Sequence, residues 1–511
     1  MILRKRPPIK KPMYRYRVKE VLVVKENTGT LFMDNKAIVW FRNDLRMHDN
    51  EALVKALRHT VEIYPVYVFD ERVFMGHTRF GFKKTGSFRA KFIIESIHDL
   101  RNSLRALNGE LYVRVGKPEE VIAEIARETG ASWVFCNRER TREEVEVQDA
   151  LEKNIWALGQ EVHFSRGKML YHTADLPFPV QHTPDVFTQF RKELEKFVQV
   201  RAPLPAPAGP FAYRTCNLLP GEIPTVEDLG HEGFEADNRA AFPFRGGETE
   251  GLKRLQYYLW ETNLVKSYKD SRNGMLGGDY SSKFSPWLAN GCLSPKQIYK
   301  ELKRYESERG GNESTYWLFF ELLWRDFFRF MGKKHGDKIF LKGGPKGQPD
   351  PRWQDDPVRL QRWIDGETGI PFIDANMLEL KHTGFMSNRG RQNVACFLAK
   401  DLFVNWQMGA EYFESMLLDY DPCSNYGNWN YVAGVGSDPR ENRYFNILTQ
   451  ARRYDPDGAF VKHWIPQLAN LPAEKVHQPE LLSFAEQQAL RVHIGGNYPK
   501  PLVNTRKWQK G

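Results

Sequence analysis

The 511-residue sequence predicts a doubly wound α/β domain, built on a parallel five-stranded sheet and joined by a long connector to an all-helical domain. Three observations carry that expectation. Five short apolar runs alternate with helix-like segments between Lys36 and about Arg166, the pattern of a parallel sheet covered on both faces. The chain then turns Pro-rich from Ala202 to Pro224, which suits an extended connector. From Gly251 onward apolar residues recur at helical spacing, with Leu252, Leu255 and Leu259 marking the first clear stripe. The expected divisions are a basic leader over 1–35, the α/β domain over 36–170, the connector over 171–250, the helical domain over 251–485 and a short extension over 486–511.

The leader MILRKRPPIKKPMYRYRVKE carries eight Lys/Arg against one acid. A targeting presequence, a basic arm on DNA and a solvated leader all fit it, the last best; it lacks the apolar core of a secretory signal. The strands are read in KAIVWF, VEIYPVYVF, LYVRV, SWVFCN and QEVHFS, and a helix over Ser87–Leu107. No GxGxxG follows a strand, which argues against a conventional dinucleotide site there. Gly76–Gly81 begins like a phosphate loop, but Phe82 stands where the Lys belongs, so the match is read as chance. No solenoid-type repeat is present.

Composition narrows the class. Hydrophobic content of 41% and charged content of 27% are ordinary for a globular protein. The 74 basic and 64 acidic residues leave +10, which favours a polyanionic partner without identifying one. Five cysteines without CxxC spacing argue for an intracellular protein with neither a disulfide framework nor a metal site. No apolar run reaches the ~18 residues of a membrane span.

Between Phe385 and Tyr431 polar side chains stand in otherwise apolar surroundings. Asn388, Arg391 and Gln392 sit at i, i+3 and i+4, so a helix would present all three on one face. In DYDPCSNYGNW, Asp419, Asp421 and Asn425 crowd what reads as a Pro- and Gly-punctuated turn. Such charges are costly unless they meet a ligand or each other. The stretch resembles the flavin-binding core of the photolyase/cryptochrome family, most closely its DASH-type branch, and the similarity runs from about Ala37 to Gln467. It implies that the helical part is an all-α FAD-binding domain and the sheet an antenna domain.

On that resemblance, FAD meets Tyr268, Ser281, Ser282, Lys283 and Ser285 on its phosphate side, and Arg325, Asn388, Arg391, Asp419, Asp421 and Asn425 elsewhere. Taken alone, the Ser-rich segment would be an ordinary helix cap, and Arg391–Asp419 a buried salt bridge. Asn425 matches the position facing flavin N5, where a neutral amide adds no negative charge beside a reduced flavin. Trp429, Trp406 and Trp353 fall on the family's electron-transfer chain, Trp429 nearest the flavin and Trp353 nearest solvent. In STYWLFFELLWRDFFRF, Glu321 and Arg325 could form an i, i+4 bridge worth tenths of a kcal/mol. Among apolar neighbours Glu321 is expected instead to hold a raised pKa or meet a ligand.

The resemblance also implies a reaction. Glu321 and Asn388 would face a flipped cyclobutane pyrimidine dimer, Trp324 would pack on its bases, and an electron from light-excited FADH⁻ would split it and return. Gln392 and Tyr431 stand where double-strand photolyases usually carry Met and Trp, which implies a preference for single-stranded DNA. RNA is a further candidate partner, and a monomer is expected. Glu143 matches a contact to a second chromophore, methenyltetrahydrofolate, although one acid in a charge run is nearly as good a reading. Phe340-Leu341 stand where some bacterial photolyases carry a folate-binding Cys-Lys pair. The rival reading is a blue-light photoreceptor that signals through partners; the end of the chain soon after the helical part speaks against it. The compartment expected is the cytoplasm in a prokaryote, or an organelle or the nucleus in a eukaryote.

Overall fold

The computed structural model describes residues 36–60, 62–209, 218–438, 440 and 443–509. The basic leader and Cys216 lie outside the described residues. Residues 36–511 form a single contact unit.

Five parallel strands make one sheet in the order β3-β2-β1-β4-β5. They are β1 (Lys36–Phe41), β2 (Glu62–Asp70), β3 (Tyr112–Gly116), β4 (Trp133–Asn137) and β5 (Glu161–Ser165), each within a residue of the expected run. β1 and β2 are buried almost throughout, because helices cover both faces of the sheet, and their sequences are correspondingly near-continuous in apolar residues. Covering helices include α1 (Glu51–His59), α2 (Ser87–Arg105), α3 (Pro118–Thr129) and α4 (Arg142–Trp156). Thr141 and Glu144 cap α4 reciprocally. The strand order reverses between β1 and β4, where α/β proteins commonly bind ligands. Here protein groups fill that crevice: Arg42 donates to Gln148 Oε1 at 2.8 Å, and Asn137 bonds Asp44 and the Gly167 N–H.

The phosphate-loop lookalike is a hairpin. His77 pairs with Lys83 in antiparallel register, and Phe80 and Phe82 pack on the helical core. The connector lies along the outer edge of β3: Val113 N–H donates to Pro220 O at 2.8 Å, and Arg101 to Gly221 O at 2.7 Å. Gly221 has φ +78°, and a Cβ there would stand 2.2 Å from Val113 O, so only glycine lets the connector approach.

Beyond the connector the chain is helical. The elements used below are α5 (Glu248–Gln256), α6 (Tyr268–Ser271), α7 (Ser285–Ala289), α8 (Glu313–His335), α9 (Pro371–Thr383), α10 (Asn388–Cys396), α11 (Trp406–Met416) and α12 (Pro422–Ala433). The stretch after Asp421, read from sequence as a turn, is α12. Pro422 is tolerated because it occupies the first helical turn, with Asp421 as N-cap accepting from Ser424 N–H at 2.8 Å. Gly427 lies inside the helix because a Cβ there would stand 2.4 Å from the Phe328 ring on α8.

The sheet and the helices meet across a buried ionic chain. Arg329 on α8 donates to Glu139, after β4, at 3.0 Å and to Asp421 at 2.5 Å, while Glu139 also pairs with Lys168. All four are buried. Burial opposes the charge on each, but Lys168 and Arg329 outweigh it at Glu139, holding that carboxyl below its usual range. Removing one partner strands the others. Replacing Glu139 with Leu should therefore cost about 3–5 kcal/mol, read as a lower urea midpoint; a loss below about 1 kcal/mol would show that the chain is dispensable for stability.

Candidate functional site

Four sequence-distant segments close on one cavity with about 1180 Å³ of free space, its mouth included. The loop between α6 and α7 contributes Tyr280, Ser281, Ser282 and Lys283, with Tyr268 on α6 and Ser285 opening α7. The N-terminal turn of α10 contributes Asn388, Arg391 and Gln392 on one face, as their spacing predicts. The 417–432 segment contributes Asp419, Asp421, Asn425 and Trp429, and Glu321 reaches in from α8.

Each polar group has a cause for its orientation. Arg391 is tied through Nε to Met386 O at 2.9 Å and through Nη2 to Asp419 Oδ2 at 2.8 Å. Asn425 gives its amide N–H to Ala410 O at 3.0 Å, so its oxygen is the end left for the cavity. Burial pushes the Asp421 carboxyl up, but Arg329, Arg325 and Lys168 outweigh it and hold it below the usual carboxylate range. Burial pulls the Lys283 ammonium down to about 7 and pushes the nearby Glu379 carboxyl up to about 8. Lys283 takes a left-handed φ of +61°, which places its Nζ 3.3 Å from the centre of the Tyr280 ring.

Glu321 lines the cavity and pairs with Arg272 of the loop after α6 rather than with Arg325 on its own helix. One expectation on α8 changes, that of Arg325 as a contact to FAD. Arg325 stands outside the cavity and donates to Lys168 O at 2.9 Å and Leu288 O at 3.2 Å, because those carbonyls at the sheet–helix junction need a donor. Trp324 and Tyr431 also lie beyond the cavity lining; they pack edge to face at 5.8 Å, and Phe187 stacks on Trp324 at 3.7 Å. Glu143, at the start of α4, is mostly exposed and paired with Lys84 at 2.6 Å, and it does not line this cavity.

Of the three tryptophans, Trp429 lines the cavity and packs edge-on to Phe413 at 5.2 Å. Gly409 makes its seat, since a Cβ there would stand 2.4 Å from the indole. Trp406 is fully buried and donates to Lys342 O at 2.9 Å. Trp353, expected to be the nearest of the three to solvent, is buried at 4% exposure, against 2% for Trp429 and 0% for Trp406, and donates to Ala399 O. Its neighbour Gln354 pairs with the Phe403–Asn405 backbone. The sequence reading passed over Arg272, Tyr280 and Glu379; Arg272 follows Tyr268 by four residues, a helical spacing that could have pointed to it.

The lining fits FAD. Among the described residues, Lys283 Nζ, the Tyr280 hydroxyl and Asp419 Oδ1 are buried polar atoms without a hydrogen-bond partner, the mark of a wall shaped for a polar ligand. Serine hydroxyls and an ammonium suit a diphosphate at one end, and the Arg391–Asp419–Asn425 set offers donors and acceptors to a heteroaromatic ring at the other.

Comparison with known proteins agrees. A family model described as DNA photolyase matches residues 37–208, and one described as the FAD binding domain of DNA photolyase matches 317–511. Fold and site thus define a photolyase-type flavoprotein. A cryptochrome DASH from Gloeobacter violaceus is 52% identical over 467 residues, 91% of this chain and 93% of that one. A chloroplastic/mitochondrial cryptochrome DASH from Arabidopsis thaliana is 48% identical, over 90% of this chain and 80% of its own. The crystal structure of a Synechocystis cryptochrome superposes with a TM-score of 0.89 at 49% identity, covering 93% of this chain and 98% of that one. The chain belongs to the cryptochrome DASH family.

Lys283 yields a pH test. Burial lowers its pKa to about 7 in the ligand-free site, whereas a diphosphate favours the ammonium. FAD binding above that pH must therefore take up a proton, and affinity should fall as pH rises from 7 towards 9, by at most about tenfold per unit. Fluorescence of released FAD measures this; Lys283→Met should weaken retention and flatten the profile.

Proposed function

We propose that this chain acts as a deoxyribodipyrimidine photolyase, a lyase that uses blue light to split cyclobutane pyrimidine dimers, mainly in single-stranded DNA. The observation that carries the reading is a single cavity in which Glu321, Asn388 and Gln392 share one space with Arg391, Asp419, Asn425 and the Ser281–Lys283 loop. Bound FAD, as FADH⁻, would supply a photoexcited electron donor. Asn425 would offer its ring side an acceptor oxygen that adds no charge. Glu321, held by Arg272, would hydrogen-bond a lesion carbonyl where negative charge develops, and Asn388 would meet the N3 edge. Trp324 and Tyr431 would bound the bases from outside, with Phe187 already covering one face of Trp324. Trp353, Trp406 and Trp429 would conduct electrons inward to keep the site reduced.

Strand preference follows from energetics. Flipping a dimer out of a duplex costs a few kcal/mol, and a pocket edged by Tyr431 and Gln392 offers less apolar contact than one edged by Trp and Met. In single strands that penalty largely disappears. Glu143, open to solvent at the start of α4, would contact 5,10-methenyltetrahydrofolate as an antenna. Among the described residues no helix is long and apolar enough to cross a membrane.

A photoreceptor role is the second reading, favoured by the family's cryptochrome name and by the buried tryptophans, which serve sensing equally well. Illuminating the purified holoprotein with dimer-containing oligonucleotides separates the two. Dimer loss is expected in single strands, with much slower loss in duplexes; equal turnover would remove the strand preference, and none at all would leave the photoreceptor. Trp429→Phe should keep bound FAD yet abolish light-driven bleaching of its oxidised absorption band, so unchanged bleaching kinetics would refute its role.

A further inference from the structure

Gln392 carries a further inference, one that rests on the repair reading. Its side chain lines the cavity beside Asn388. The amide oxygen accepts a hydrogen bond from Nη1 of Arg389 at 2.9 Å. A guanidinium has only donors, so the oxygen end of the amide must be the one that faces it. The NH₂ end is then the one turned towards the remaining space. Arg389 is itself fixed: Nη2 donates to Asn273 Oδ1 at 2.9 Å, and the guanidinium lies 4.5 Å from the centre of the Tyr454 ring. Asn273 directly follows Arg272, the residue that holds Glu321. Two adjacent residues, Arg272 and Asn273, therefore bear on two polar groups of the cavity lining, Glu321 directly and Gln392 through Arg389.

We propose that Arg389 is a positioning residue that locks Gln392 as a hydrogen-bond donor to a carbonyl oxygen of a pyrimidine base in the cavity. Thymine offers carbonyl oxygens at both C2 and C4, whereas cytosine keeps only the C2 carbonyl and turns a donor amine to the same probe at C4. The role differs from that of a cation resting on a phosphate. A phosphate contact strengthens binding to any strand alike, while a base contact discriminates.

The test uses dark-kept holoprotein and anisotropy of two labelled single strands, identical except for one thymine cyclobutane dimer. The readout is the ratio of the two affinities. Arg389→Leu should lower that ratio about fivefold to tenfold, as loss of one oriented hydrogen bond does. Gln392→Glu keeps an oxygen for Arg389 but has no donor to offer, and should lose the same factor. The double variant should lose no more than either single one, because the two residues act as one unit. Affinities that fall together in Arg389→Leu, leaving the ratio intact, would overturn the proposal, as would losses that multiply in the double variant. Should Arg389→Leu fail to hold FAD, Gln392→Glu decides alone: an unchanged ratio overturns the proposal. A wild-type protein without preference for the dimer would overturn the repair reading itself, whereas a wild-type preference that survives both substitutions overturns the roles of Gln392 and Arg389 and leaves that reading standing.

Discussion

Arg329 stands between two carboxylates that belong to different layers of the protein, and most of the site's geometry depends on that arrangement. Glu139 comes from the loop after β4, and Asp421 opens the helix that carries Asn425 and Trp429. Fixing Asp421 fixes where that helix starts, and so which side chains look into the cavity. An apolar cluster could hold the layers together as firmly, since buried ion pairs rarely outdo good packing in stability. It would not hold them in one direction. A guanidinium that donates one nitrogen to each carboxylate holds both in a single orientation, so the loops filling the crevice between β1 and β4 transmit the position of the sheet to the cofactor wall.

The same logic recurs with neutral groups. Amides can point either end at a ligand, and in this cavity each choice is imposed from behind. The Ala410 carbonyl takes the nitrogen of Asn425 and leaves an acceptor; Arg389 takes the oxygen of Gln392 and leaves a donor. Arg272 likewise holds Glu321 at the mouth. The chemistry offered to a ligand thus resides as much in these supporting partners as in the side chains that would touch it.

Much of this architecture is legible in the order of amino acids. The sheet is, because strands buried on both faces must be nearly continuous in apolar residues, and no helix of that length can be mistaken for them once β-branched and aromatic residues dominate. The helix face of Asn388, Arg391 and Gln392 is, because spacing alone puts them together. The stretch from Asp421 misleads, since proline and glycine usually punctuate; here proline starts a helix, and glycine makes room for Phe328. Arg325 misleads for a different reason. The resemblance sets it against FAD, but the sequence does not encode that two carbonyls at the sheet–helix junction will take its donors. Nor does it encode how near to Glu321 a residue 49 positions earlier will fold. The three tryptophans can be singled out from the 13 only by likeness to relatives.

The connector's course along β3 has a bearing on how the molecule behaves in a crowded solution. An outermost strand with vacant amides and carbonyls invites any other extended chain to add itself. Here Pro220 and Gly221 already occupy part of that row, pinned by Arg101 and Arg114. The segment that tethers the two halves therefore doubles as a selvedge, sealing the margin along which the sheet would otherwise fray into its neighbours.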